Sequence, residues 1–169
     1  QGNKWRKLKP LLPPQSPIPS GIFSFGGPFS NHLHALAAAG VMYGFPTAAL
    51  IRGAFADLEN PTLAFAARCG MKLFPVAKSD YEKLKKAALL DIFDFLEFQP
   101  EVPYIRLPEG GDAPEALRSC MEIVAEIKAQ LPAVSGQPIF IAVPAGTGCT
   151  AAGVIAAAAD WARVLVFPA

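Results

Sequence analysis

Apolar positions along this chain fall into short runs separated by helical stretches. GIFSF (21–25), TAALI (47–51), KLFPV (72–76), VPYIR (102–106), PIFIAV (138–143) and RVLVF (163–167) read as strands. They are almost continuously apolar, as strands covered on both faces of a sheet are. Between them the spacing predicts helices near 30–43, 61–69, 79–98, 113–131 and 149–161, and a short helix near 3–12 precedes the first strand. Such alternation makes βαβ units with parallel strands and right-handed crossovers, an α/β fold.

Two breaks divide the pattern. PPQSPIPS (13–20) cannot be helical, because proline fixes φ and removes donors, so it reads as an extended link. LPEGGDAPEAL (107–117) is the second break, with Asp112 expected as an N-cap and Pro114 in the first helical turn. The four strands between the breaks are expected to form a small α/β lobe over residues 13–107. Residues 1–12 and 108–169 would belong to a second, larger domain. The chain opens on Gln1 and stops just after VLVF, so both ends read as truncated. A sheet of PIFIAV and RVLVF alone would leave Val164, Val166 and Phe167 uncovered.

Composition narrows the function classes. Just over half of the 169 residues are apolar and the net charge is +1, which gives no case for nucleic acid or an anionic membrane as partner. Cys69, Cys120 and Cys149 are odd in number and form no CxxC pair, so neither zinc nor a disulfide framework is indicated, and a reducing, cytoplasmic setting fits. No segment reads as a signal peptide, and no apolar run reaches the roughly 18 residues of a membrane span.

Three segments carry chemistry. AGTGCTAAG (145–153) lies between a strand and a helix, where glycines bring main-chain N–H groups close to an anion and the helix start adds partial positive charge. It also fits the dinucleotide fingerprint GxGxxA through Gly146, Gly148 and Ala151, but no acidic residue ends the next strand. SFGGPFSNHLHALAAAG (24–40) offers Ser30 as an N-cap above a second set of free N–H groups. His32 and His34, two apart on a helix, face different ways and make no metal site; one of them is expected at the surface or as a structural hydrogen-bond partner. QGNKWRKLKPLL (1–12) places Lys4 before an apolar face of Trp5, Leu8, Leu11 and Leu12, with Arg6 and Lys7 as neighbouring cations able to lower its basicity. A phosphate cradle, a second anion site and an amine nucleophile are together what a pyridoxal phosphate enzyme needs.

GNKWRKL, FGGPFSNHLHALAAAG, NPTLAFAARCGM, SDYEK, LPEGG and GTGCTAAG, in that order, resemble the 1-aminocyclopropane-1-carboxylate deaminase and D-cysteine desulfhydrase family. The resemblance implies a two-lobed, parallel-sheet pyridoxal 5'-phosphate enzyme of the tryptophan synthase β-like type, fold type II. It implies that Lys4 holds the cofactor covalently and moves the substrate proton, that Asn31 bonds the ring hydroxyl, and that Ser30 meets the substrate. Substrate contacts would come from Ser30, Asn31 and His32, and the phosphate cup from Gly146, Thr147, Gly148, Cys149 and Thr150. The implied reaction converts a small amino acid, D-cysteine or 1-aminocyclopropane-1-carboxylate, to ammonia and an α-keto acid, in a cytoplasmic homodimer. The chain departs from the family at Phe29, where a glutamine is common, and at Asp112 and Ala113, where Ser-Asn is common. The family's tyrosine near the substrate and its acidic residue near the ring nitrogen would fall beyond Ala169. The alternatives are a nicotinamide-dependent oxidoreductase, from GxGxxA, and an inactive fragment of the same scaffold.

Overall fold

The computed structural model describes residues 2–131 and 138–168. It divides into two compact units: Leu11–Gly111, and the residues up to Pro10 together with those from Asp112 onward. Gln1, residues 132–137 and Ala169, all within the share expected of the larger domain, lie outside the described residues.

The Leu11–Gly111 unit holds β1 (Ile22–Gly26), β2 (Thr47–Arg52), β3 (Lys72–Val76) and β4 (Ile105–Arg106), all parallel, in the order β3-β2-β1-β4. The four strands expected to share a sheet do share one. Side chains alternate across β1. Phe23 and Phe25 enter a core with Tyr81, Leu84, Ile92 and Phe93, whereas Ser24 lies on the opposite face. Helices α2 (Asn31–Tyr43) and α3 (Pro61–Arg68) pack on each other, with Leu33, Leu36, Leu63 and Ala66 fully buried.

Two elements differ from expectation. The strand at 102–106 shrinks to Ile105–Arg106, which pair with Ile22 and Phe23. Pro103 has no N–H to give a ladder, and residues 101–104 run without strand pairing. The helix at 79–98 is two helices, α4 (Lys78–Leu84) and α5 (Leu89–Phe95). The amides of Lys86 and Ala87 bond the carbonyls three residues back, at Lys83 and Leu84, and Ala88 is extended. That tight turn ends the first helix with neither glycine nor proline to mark it.

The second unit holds α1 (Gly2–Leu8), α6 (Pro114–Gln130), β5 (Ile139–Ala145), α7 (Cys149–Ala158) and β6 (Ala162–Pro168). β5 and β6 are parallel and α7 makes the crossover between them. Ala116, Ser119, Cys120 and Val124 form the buried stripe of α6, at helical spacing. Val124, Val143, Ala151 and Val154 make the core, joined by Ile141, Trp161 and Val164. Val164, expected to lack cover, is therefore half-buried. Phe140, Leu165, Val166 and Phe167 are exposed, so this sheet is covered on one face only among the described residues. Asp112 does not cap α6: the capping position is Ala113, which makes no side-chain cap bond.

Candidate functional site

The turn after β5 is shaped by its glycines. Gly148 has φ +89°, a left-handed conformation that L side chains rarely adopt, and is the N-cap of α7. No side chain caps the helix. The first amides of α7 therefore lack the usual side-chain acceptor and point away from the helix body. A Cβ added at Gly146 or Gly148 would meet no atom within 4 Å, so the space over the turn is open. Gly146 and Thr147 are exposed and Cys149 is buried. Burial pushes the Cys149 thiol up to about 11, so it stays protonated near neutrality.

Helix α1 lies against this turn. Asn3 donates its amide N–H to Thr150 Oγ1 at 2.9 Å, and Lys7 Nζ lies 3.2 Å from Thr147 Oγ1. Ion pairs hold α1 and the turn after it on α6: Arg6 with Glu126 (2.7 and 2.5 Å) and Glu122 (3.8 Å), and Lys9 with Glu122 (2.9 and 2.6 Å). The guanidinium keeps the Glu126 carboxyl below its ordinary range. Arg6 is thus turned to α6, and Lys7 alone acts as the cationic neighbour expected for Lys4.

Lys4 sits half-buried between these anchors. Its basicity is lowered from the ordinary lysine value, first by burial and then by the Lys7 ammonium. A lysine so treated has more neutral amine at a given pH and is a better nucleophile toward carbonyls. Lys7 was read from sequence only as a nearby cation. It is 2% exposed, which makes it one of the few buried charged residues, and it stands beside the glycine turn. Its place in a basic run, KWRKLK, hid this burial.

The start of α2 is built differently. Ser30 is the N-cap, with φ −71° and ψ 107°, and its Oγ accepts from Leu33 N at 3.3 Å. A Cβ at Gly26 would come within 2.8 Å of Ser30 Oγ and 2.9 Å of Leu33 Cδ1, so only glycine lets the strand end approach the helix start this closely. Asn31 is exposed and Phe29 beside it is 73% exposed. His32 points inward, 1% exposed, with Nε2 2.8 Å from Ser24 Oγ. What it offers a ligand is its first-turn main chain; its ring is committed to Ser24. His34 is exposed and stacks on Phe65 at 3.9 Å.

The open space over Gly146 and Gly148, with main-chain amides, two threonine hydroxyls and a buried ammonium around it, fits a phosphate dianion. A half-buried lysine of lowered basicity, Lys4, stands on the neighbouring helix.

No family model matches the chain. A curated Thermotoga maritima protein named "putative 1-aminocyclopropane-1-carboxylate deaminase" is 32% identical over 162 residues, covering 92% of this chain and 48% of that protein. The crystal structure of an ACC deaminase homologue superposes with a TM-score of 0.74 at 25% identity, over 95% of this chain and 47% of that one. A pyridoxal 5'-phosphate-dependent aspartate racemase superposes with a TM-score of 0.65 at 17% identity, over 98% of this chain and 46% of that one. The chain thus spans about half the length of the proteins it matches. It resembles a 1-aminocyclopropane-1-carboxylate deaminase along most of its length, and its fold is that of the pyridoxal-phosphate-dependent enzymes of the tryptophan synthase β-like type, fold type II.

Proposed function

We propose that this chain is part of a pyridoxal-phosphate-dependent enzyme that releases ammonia and an α-keto acid from a small amino acid. The observation that carries this reading is the seating of α1: Asn3 tied to Thr150 and Lys7 to Thr147 bring a weakly basic Lys4 beside an open, glycine-built anion cradle. The likeness to proteins named as deaminases supports it.

Within the proposal the roles divide by element. The N–H groups and hydroxyls of Gly146, Thr147, Gly148, Cys149 and Thr150 hold the phosphate, with the Lys7 ammonium adding charge. Lys4 holds the cofactor's carbonyl carbon and moves the substrate proton at its Nζ. Asn31 bonds the ring hydroxyl. Ser30 meets the substrate, and His32 serves the same end through its place in the first turn of α2. When bound, pyridoxal phosphate supplies an electron sink for the bond broken at the amino-acid carbon. The substrate is 1-aminocyclopropane-1-carboxylate or D-cysteine, the latter also yielding sulfide. Residues 13–107 form the small domain, and 1–12 with 108–169 belong to the cofactor-holding one. The enzyme works as a cytoplasmic homodimer, without nucleic-acid or membrane partners. None of the proteins named above is a nicotinamide oxidoreductase, and a dinucleotide would leave Lys4 without a task.

The test is chemical. The chain loaded with pyridoxal phosphate is reduced with borohydride and mapped by peptide. The pyridoxyl group is expected on Lys4; its appearance on exposed Lys72 or Lys78 would overturn the assignment. Ammonia release from the two amino acids then separates an enzyme from an inactive scaffold.

A further inference from the structure

Ser24 is wholly buried in the middle of β1, a strand whose other side chains are aromatic or aliphatic. Its Oγ stands 2.8 Å from His32 Nε2, 3.0 Å from the carbonyl oxygen of Leu107 and 3.5 Å from that of Pro108. When the one hydroxyl hydrogen of Ser24 goes to the Leu107 carbonyl, which can only accept, the serine has none left for the ring. The 2.8 Å contact is then a hydrogen bond only if His32 Nε2 carries a hydrogen and donates it. In that arrangement the ring proton sits on Nε2.

This arrangement ties three elements at one atom: β1, the first turn of α2, and the segment Leu107–Gly111, where Gly110 and Gly111 have φ +72° and +68°. Successive residues on a helix point about 100° apart. His32 points into the unit and Asn31 points out of it. Holding the His32 ring therefore sets the direction of Asn31. Apolar packing of Leu33 and Leu36 holds the helix down but is not directional, whereas a hydrogen bond is.

We propose that Ser24 and His32 are positioning residues, a buried relay from Nε2–H through the serine hydroxyl to the Leu107 carbonyl that fixes the rotation of the α2 start and so aims Asn31 and Ser30. The relay stands on geometry alone; its consequence for ligand binding rests on the function proposed above.

Two measurements test it. Nitrogen-15 spectra of the imidazoles in the unliganded chain are expected to show His32 protonated at Nε2; a bare Nε2 would overturn the relay. In the chain loaded with pyridoxal phosphate, His32→Leu is expected to move the visible absorption band in the same sense as Asn31→Ala. It should also raise the substrate KM roughly tenfold, the scale of one buried hydrogen bond lost. His32→Gln keeps an N–H donor at the same reach and is expected to restore both. Equal behaviour of the leucine and glutamine variants would overturn the positioning role. Where His32→Leu does not fold, the milder Ser24→Ala is used, and an unmoved Asn31 side-chain amide resonance in that variant would count against the proposal. A parent chain that takes up no pyridoxal phosphate would defeat the functional reading, while the imidazole spectrum and the Asn31 resonance would still decide the relay.

Discussion

The starts of α2 and α7 occupy the same topological place, the carboxyl end of a parallel strand, yet they are built on opposite plans. At α2 a serine side chain caps the helix, and Gly26 is needed because the cap presses on the strand. At α7 the capping position is a left-handed Gly148 with no side chain, and the space over it is empty. The first satisfies its own donors and presents side chains. The second leaves donors unsatisfied and presents bare main chain. A helix start that closes on itself can orient a ligand through Asn31, whereas one left open can hold an anion outright.

The sharpest way to break this contrast is to put a side chain at each glycine. Gly148→Val fills the open space and demands a left-handed backbone of a β-branched residue. Loss of about 3 kcal/mol of charge-assisted bonding lowers pyridoxal phosphate affinity by roughly 100-fold, measured by absorbance titration. Gly26→Ala should instead act on the fold, costing about 1–3 kcal/mol by overpacking against Ser30 and Leu33, read by thermal unfolding. If Gly148→Val left affinity intact, the anion site would have to be sought elsewhere.

A smaller effect separates the two polar residues at α2. Asn31→Ala is expected to shift the visible band of the bound cofactor. Ser30→Ala should leave that band nearly unchanged, lower turnover, and cost about 1 kcal/mol as a lost N-cap. Equal spectral shifts would contradict the division.

Charge beside α7 gives a subtler handle. Burial and the Lys7 ammonium both lower the Lys4 pKa, so the neutral amine of Lys4 emerges at lower pH than that of an ordinary lysine. Lys7→Met removes the second cause and leaves the first. The midpoint for acylation of Lys4 should therefore move up, part of the way toward the ordinary lysine value. A midpoint that fell, or stayed, would mean that Lys7 does not act on Lys4. Smallest of all is Cys149→Ser. The thiol is protonated and the residue contributes through its main chain, so cofactor affinity should hold within about twofold, a change of some 0.4 kcal/mol.

How much of this was legible in the sequence depended on distance along the chain. The strands announced themselves because each is a local apolar run, and the helix starts because Ser30 and the glycines of 146–148 are local signals. The split between α4 and α5 was hidden, since Ala77 and Ala88 cap those helices without side-chain bonds and nothing local marks the turn. The shortening of β4 was half-visible in Pro103. Lys7 read only as a neighbouring cation because its hydroxyl partner, Thr147, lies 140 positions away. The Ser24–His32 bond was invisible for a related reason: alternation puts Ser24 on the α2 face, but its second partner, Leu107, lies 83 residues on. The Asp112 cap failed because α6 starts one residue later, with Ala113 at the capping position.

The bond from Asn3 to Thr150 joins residues 147 positions apart, and the Leu11–Gly111 unit lies wholly within that span. Closing so long a loop is entropically costly at first, but the cost grows only with the logarithm of length. An inserted unit that folds early shortens the effective loop and brings its ends toward each other. During synthesis α1 emerges before the inserted unit, yet the turn that Asn3 and Lys7 bind appears only after that unit has left the ribosome. Until then Lys4 lacks the burial that lowers its basicity in the folded chain. Refolding should show the same order, with the aromatic core of Phe23, Phe25 and Tyr81 gaining protection before α1 docks.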